Sequence, residues 1–179
     1  DMSKGEYSVP AGHRYRIIIP FFASFVRNSI QSLVPPEQLY WFGGVDTLSF
    51  YIVNLLVTSL TGLFLYFFLT KLKFDSKLSL LGVFIFLGSR ITVITTAAPI
   101  VDSLHHLAII IIVYFCLNQQ TIALALTIPL LIFSKETIIP FLFLPLFVKA
   151  INRKLIGASL LVSFGILFWV REEITTSLP

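Results

Sequence analysis

The chain has 179 residues, 56% of them hydrophobic and only 12% charged. Soluble domains carry about 25% charged and about 45–50% apolar residues, so no single aqueous core hides this much apolar surface and lipid is the expected solvent for most of it. The net charge of +4 is small and spread along the chain. No basic patch with interleaved aromatics marks a nucleic-acid surface, so the basic residues read as topology signals.

Residues 1–14 are polar, carry Gly5, Pro10 and Gly12, and read as a loop. Residues 15–34, YRIIIPFFASFVRNSIQSLV, are apolar but contain Arg16, Pro20 and Arg27. That pattern predicts an amphipathic helix lying at the membrane interface. PPEQLYWFGGVD is a second loop, and its Tyr40, Trp41 and Phe42 suit the aromatic belt at a membrane surface. The first clear span is 47–70, which at 1.5 Å per residue crosses a hydrocarbon core of about 30 Å. It ends at KLKFDSK. A second span covers about 78–98 and is interrupted by Arg90, and a third covers about 103–117 and ends at the tight turn NQQ. Two short apolar runs, 121–133 and 137–148, flank SKE. KAINRK follows, and a last apolar run, 155–170, ends at REE.

The positive-inside rule places KLKFDSK in the cytoplasm. Counting spans from there puts KAINRK on the same side, and puts residues 1–46, Asp102, His105, His106, Lys135, Glu136 and Arg171 on the other. Reading 121–148 as a single span would move KAINRK outside and break the rule. Each run beside SKE is about a dozen residues, or roughly 20 Å as helix, too short to cross comfortably. Lys135 and Glu136 are therefore expected at the tip of a shallow or re-entrant hairpin, where protein or a water-filled cavity surrounds them. Pro140 and Pro145 suit an irregular second arm. The fold class expected is all-α: a polytopic transmembrane helix bundle with an interfacial amphipathic helix and a short broken-helix hairpin. Residues 1–46 form its non-cytoplasmic loop and interfacial helix. Residues 47–179 form a single transmembrane region, read as part of a longer chain.

Ionisable residues at membrane depth are costly, so each is a functional candidate. Lys135 and Glu136 would bind a lipid phosphate and orient a substrate, or else make a local ion pair at a turn. Arg90 would pair with a phosphate or carboxylate, Asp102 among the candidates. Asp102, His105 and His106 share a helix face at i, i+3 and i+4. They would hydrogen-bond a phosphate or sugar, or cap the helix. A divalent metal is the weaker alternative there, because HExxH and a second ligand cluster are absent. His13, Arg14 and Arg16 put positive charge where an apolar segment meets the surface, suited either to phosphate or to snorkelling. Arg171, Glu172 and Glu173 are similar to the paired glutamates of membrane-embedded proteases, but the further Arg or His ligands expected at fixed spacing are missing. The single cysteine, Cys116, excludes an internal disulfide and reads as a packed or lipid-facing thiol. No Gly-rich phosphate loop, GxSxG or Walker motif is present.

GHRYRIIIPFFASFV resembles the YRYR-(I/L)-L-P segment that follows the first external loop in some bacterial polytopic membrane proteins. LLIFSKETIIPFLFLP resembles the KE-T-apolar-P segment of GT-C-type glycosyltransferases and their uncharacterised relatives. The resemblance implies transfer of a sugar from a polyprenyl-phosphate carrier on the non-cytoplasmic face of the bacterial inner (plasma) membrane. Lys135 and Glu136 would then belong to the donor pocket, and Arg14 and Arg16 would contact phosphate. The family's catalytic aspartate lies in the first external loop. Here Asp1 and Glu6 are the only acidic residues ahead of GHRYR, so either is the candidate base, and the family's D-E type pair is missing. The expected partners are membrane lipid, the polyprenyl-phosphate sugar donor and other protein subunits, with no nucleic acid and no resident cofactor. The rival classes are a non-catalytic subunit of a larger membrane complex and a transporter or channel component.

Overall fold

The computed structural model describes residues 18–97 and 102–176. Among these every regular element is helical: α1 (Ile18–Leu33), α2 (Gly44–Lys71), α3 (Ser76–Leu87), α4 (Arg90–Ala97), α5 (Ser103–Leu117), α6 (Thr121–Leu131), α7 (Ile139–Leu142) and α8 (Arg153–Thr176). Short 3-10 turns cover Pro36–Phe42, Glu136–Ile138 and Leu144–Phe147. Two helices are long and apolar enough to cross a membrane, α2 and the Arg153–Val170 part of α8. By the same measure α3 and α4 make a third span if taken together, bent by 58° at the break between them.

The amphipathic stripe expected in the first apolar segment is present and faces protein. Ile19, Pro20 and Ala23 of α1 are buried, and Ile19 and Ala23 share a cluster with Val53 of α2 and Leu104 and Leu107 of α5. Arg27, two turns further along α1, meets Asp46 in the first turn of α2 at 3.7 Å. The two helices therefore run antiparallel. The outward face of α1 changes along its length, from Phe21, Phe22 and Phe25 to Asn28, Ser29, Gln31 and Ser32. Between the helices Tyr40, Trp41 and Phe42 stand exposed, Trp41 by 92%. The reversal into α2 needs positive φ at two consecutive positions, 75° at Gly43 and 90° at Gly44, and glycine occupies both without steric cost.

The 28 residues of α2 make a rod about 42 Å long. It closes at Lys73, whose φ of 69° turns the chain, and Asp75 caps α3 by accepting the Leu78 N–H at 2.7 Å. The break inside the second apolar segment falls at Gly88–Ser89, just ahead of Arg90. Gly88 N–H still reaches Phe84 O, and then Ser89 restarts the helix by accepting the Thr92 N–H through its Oγ at 3.2 Å.

A second cluster gathers α5, α6 and α8 around Ile112, Cys116, Leu124, Ile128, Ile132 and Ile156, and includes Ile138 and Leu142 of the return arm. Thr121 Oγ1 accepts the Asn152 N–H at the start of both helices, and further along both Ser159 donates to Ala125 O at 2.6 Å. Hence α6 and α8 run parallel, and residues 132–151 carry the chain back between them. Pro129 sits inside α6. It lacks the N–H that would bond Ala125 O, and Ser159 supplies the missing donor from α8. The return arm is irregular, as its prolines predict: α7 carries Pro140 in its first turn, and Pro145 opens the following 3-10 turn.

Candidate functional site

The turns fix which polar residues can meet. Gln119 at φ 56° folds α5 back onto α6, so the start of α5 and the end of α6 lie side by side. There the Lys135 Nζ stands 3.0 Å from Asp102 Oδ1, with the two side chains 29% and 33% exposed. Two residues beyond Lys135, Thr137 Oγ1 lies 3.3 Å from His105 Nε2. Ser134, the residue before the lysine, is buried, and its hydroxyl has no hydrogen-bond partner among the described residues. Three elements thus bring a carboxylate, an ammonium, an imidazole and two hydroxyls to one end of the α5–α6 hairpin.

The depth of this cluster follows from its floor. Ser103 donates to Asn54 Oδ1 of α2. Asn54 is fully buried and lies ten positions after Gly44, about 15 Å along the helix from the Trp41 end. The ion pair is therefore recessed beneath that end. One turn deeper, Thr58 Oγ1 and Thr96 Oγ1 meet at 2.9 Å and tie the end of α4 to α2.

His106 turns away from the ion pair. Its ring meets the edge of Phe86 at a centroid separation of 6.1 Å. It also lines an apolar cavity of about 220 Å³ between α2, α3 and α5, together with Thr61, Leu65, Ile109 and Ile110. The rings of His105 and His106 are 6.4 Å apart and face different partners. No group of three His, Cys, Asp or Glu side chains among the described residues could hold a metal, so the metal alternative at Asp102, His105 and His106 finds no converging donor set.

Of the residues singled out from sequence, Asp102, His105 and Lys135 come together, and His106 lies beside them. Arg90 does not join them: it opens α4, exposed, with no ion pair or hydrogen bond to a described residue. Asp1, Glu6, His13, Arg14 and Arg16 lie outside the described residues, as does the side chain of Glu136. Sequence reading missed Asn54, Ser134, Thr137 and the cavity. For Asn54 a signal existed, since one carboxamide in the middle of a 28-residue apolar helix requires a partner.

The arrangement can do two things chemically. An ammonium has three donors, and one contact to Asp102 leaves two for an incoming anion. The apolar cavity beside His106 suits a hydrocarbon chain, so polar head and apolar tail would be received at neighbouring places. No family model, no curated protein and no solved structure matches the chain.

Proposed function

We propose that the chain works in an integral membrane glycosyltransferase of the GT-C type, taking a sugar from a polyprenyl-phosphate carrier on the non-cytoplasmic face of a bacterial inner membrane. The observation that carries this reading is the recessed Lys135–Asp102 pair with His105 and Thr137, about 15 Å below the Trp41 end of α2 and next to an apolar cavity. A carrier lipid presents a phosphate and a long apolar chain together, and the site offers a partner for each.

In this reading the Lys135 ammonium faces the carrier phosphate, where negative charge grows as the sugar leaves. Asp102 holds the ammonium in place, and His105, oriented by Thr137, hydrogen-bonds the sugar or phosphate oxygens. A carboxylate takes the proton of the acceptor hydroxyl, and Asp1 and Glu6 remain the candidates for it. The parallel course of α6 and α8 supports putting NQQ and KAINRK at one end, with Lys71, and the catalytic cluster toward the other. The outward face of α1, aromatic beside Val53 and polar toward Asp46, supports a helix that dips from the outer surface along α2.

The test is transfer from a lipid-linked sugar in membranes holding the full-length protein. Lys135→Ala and Glu136→Ala are each expected to lower transfer about 100-fold. Full transfer by both variants would remove the site assignment.

A further inference from the structure

Arg90 is the one described cation inside the apolar depth that no described carboxylate meets. Its depth is bounded on both sides. A Cβ added at Gly62 of α2 would stand 3.6 Å from Leu87, so the end of α3 lies level with Gly62. At the other end of α4, Thr96 meets Thr58. Arg90 is flanked in sequence by these two contacts, and both fall on the middle turns of α2. Gly62 is nine positions from Lys71 and eighteen from Gly44, about 13 Å and about 27 Å along the helix. A three-carbon stem cannot lift a guanidinium to either end.

No described carboxylate pairs with this charge. Arg90 occupies the first position of α4, the positive end of the helix dipole, where a cation is disfavoured. Of the last α3 carbonyls, those of Phe84 and Phe86 accept the N–H groups of Gly88 and Ser89. Asp46 is with Arg27, Asp102 is with Lys135, and Asp75 caps α3. Around Arg90 the outward surface is apolar: Phe84, Ile85, Ile91, Val93 and Ile94 are all exposed. A lone arginine on such a face, at mid-depth, carries a cost of several kcal/mol unless an anion meets it.

From this we infer that the bent α3–α4 face docks a transmembrane helix of another protein that carries a carboxylate at mid-depth, opposite Arg90. Phosphates of the bulk lipid lie at the membrane surface, and even a carrier phosphate held at Lys135 would sit level with Asn54, about 12 Å along α2 from Gly62, whereas a glutamate or aspartate on a spanning helix reaches this level. The apolar residues around Arg90 give the helix its packing surface, and the charge sets partner and register. The inference is independent of the transferase reading, since it concerns neither Lys135 nor the hairpin.

The experiment reconstitutes the full chain in zwitterionic vesicles and measures energy transfer to a labelled leucine-rich transmembrane peptide with one central Glu. The same peptide with Gln or Lys at that place serves as comparison. The Glu peptide is expected to associate about tenfold more tightly than the Gln peptide. Arg90→Gln should abolish the preference, Arg90→Lys should keep it, and Arg90→Glu should transfer it to the Lys peptide. Equal association of the Glu and Gln peptides with the unaltered chain overturns the inference, whether lipid, water or a carboxylate elsewhere in this chain already satisfies the arginine. A preference that survives Arg90→Gln overturns it too. Should Arg90→Gln fail to fold, the Arg90→Lys and Arg90→Glu arms decide alone.

Discussion

Lys135 Nζ and Asp102 Oδ1, 3.0 Å apart, tie shut the open end of the α5–α6 hairpin. Both side chains are about one-third exposed, which places the pair between surface bridges of 0–1 kcal/mol and buried ones whose rupture costs about 3–5 kcal/mol. A double-mutant cycle with Lys135→Met and Asp102→Asn, read by reversible unfolding in detergent, is expected to give a coupling of about 1–2 kcal/mol. A coupling near zero would show that the hairpin closes without the pair.

Ser159 compensates for Pro129, so the two positions should not be additive. Ser159→Ala leaves Ala125 O without a donor and should cost about 1–2 kcal/mol. In a Pro129→Ala background the backbone N–H returns and can bond Ala125 O within α6. There Ser159→Ala should cost a few tenths of a kcal/mol at most. Equal costs in the two backgrounds would mean that the carbonyl finds another partner.

Gly82 sets how closely α3 approaches α2. A Cβ built there stands 2.7 Å from Leu69 Cδ1, the movable tip of a side chain. Gly82→Ala should therefore be mild, while Gly82→Leu should push the helices apart and cost about 1–3 kcal/mol. Leu69→Ala should recover much of the Gly82→Leu loss by clearing the space. An unchanged loss in the double variant would point to backbone rather than side-chain crowding.

The parallel course of α6 and α8 makes a statement about sides. In sealed vesicles a membrane-impermeant maleimide should label Gln119→Cys and Asn152→Cys from one side and Tyr40→Cys from the other. Cys116 is buried and should give little background. Labelling of Gln119→Cys and Asn152→Cys from opposite sides would mean that residues 121–148 cross once, and that the return arm does not form.

Much of this arrangement is legible in the sequence where a cost is local. Lys135 stands out because an ammonium beside two apolar runs needs a partner. Asp102 and His105 are three positions apart and share a helix face. The prolines at 140 and 145 mark the irregular arm. The break at Gly88–Ser89 also has a local signal, glycine followed by an N-capping serine, although hydropathy runs across it as one span. Thr137 is different. It reaches His105 only because Gln119 folds α5 onto α6, and no spacing within SKET announces that. The cavity beside His106 is less legible still. Its lining is mostly apolar, drawn from three helices, and only their mutual packing distinguishes those residues from neighbours that face lipid.

One helix, α5, belongs to both buried clusters. Leu104 and Leu107 complete the core begun by α1 and α2, while Ala108, Ile112 and Cys116 start the core finished by α6 and α8. During synthesis, then, neither core can close before residue 103 has left the ribosome. Everything made up to that point must wait in the membrane half-covered. A chain cut between α4 and α5 loses both cores at once, whereas one cut after α5 keeps the first complete. The order in which the bundle becomes protease-resistant should therefore show an early step at α5, when the first core closes, and a last step at α8, which closes the second core over the Lys135 hairpin.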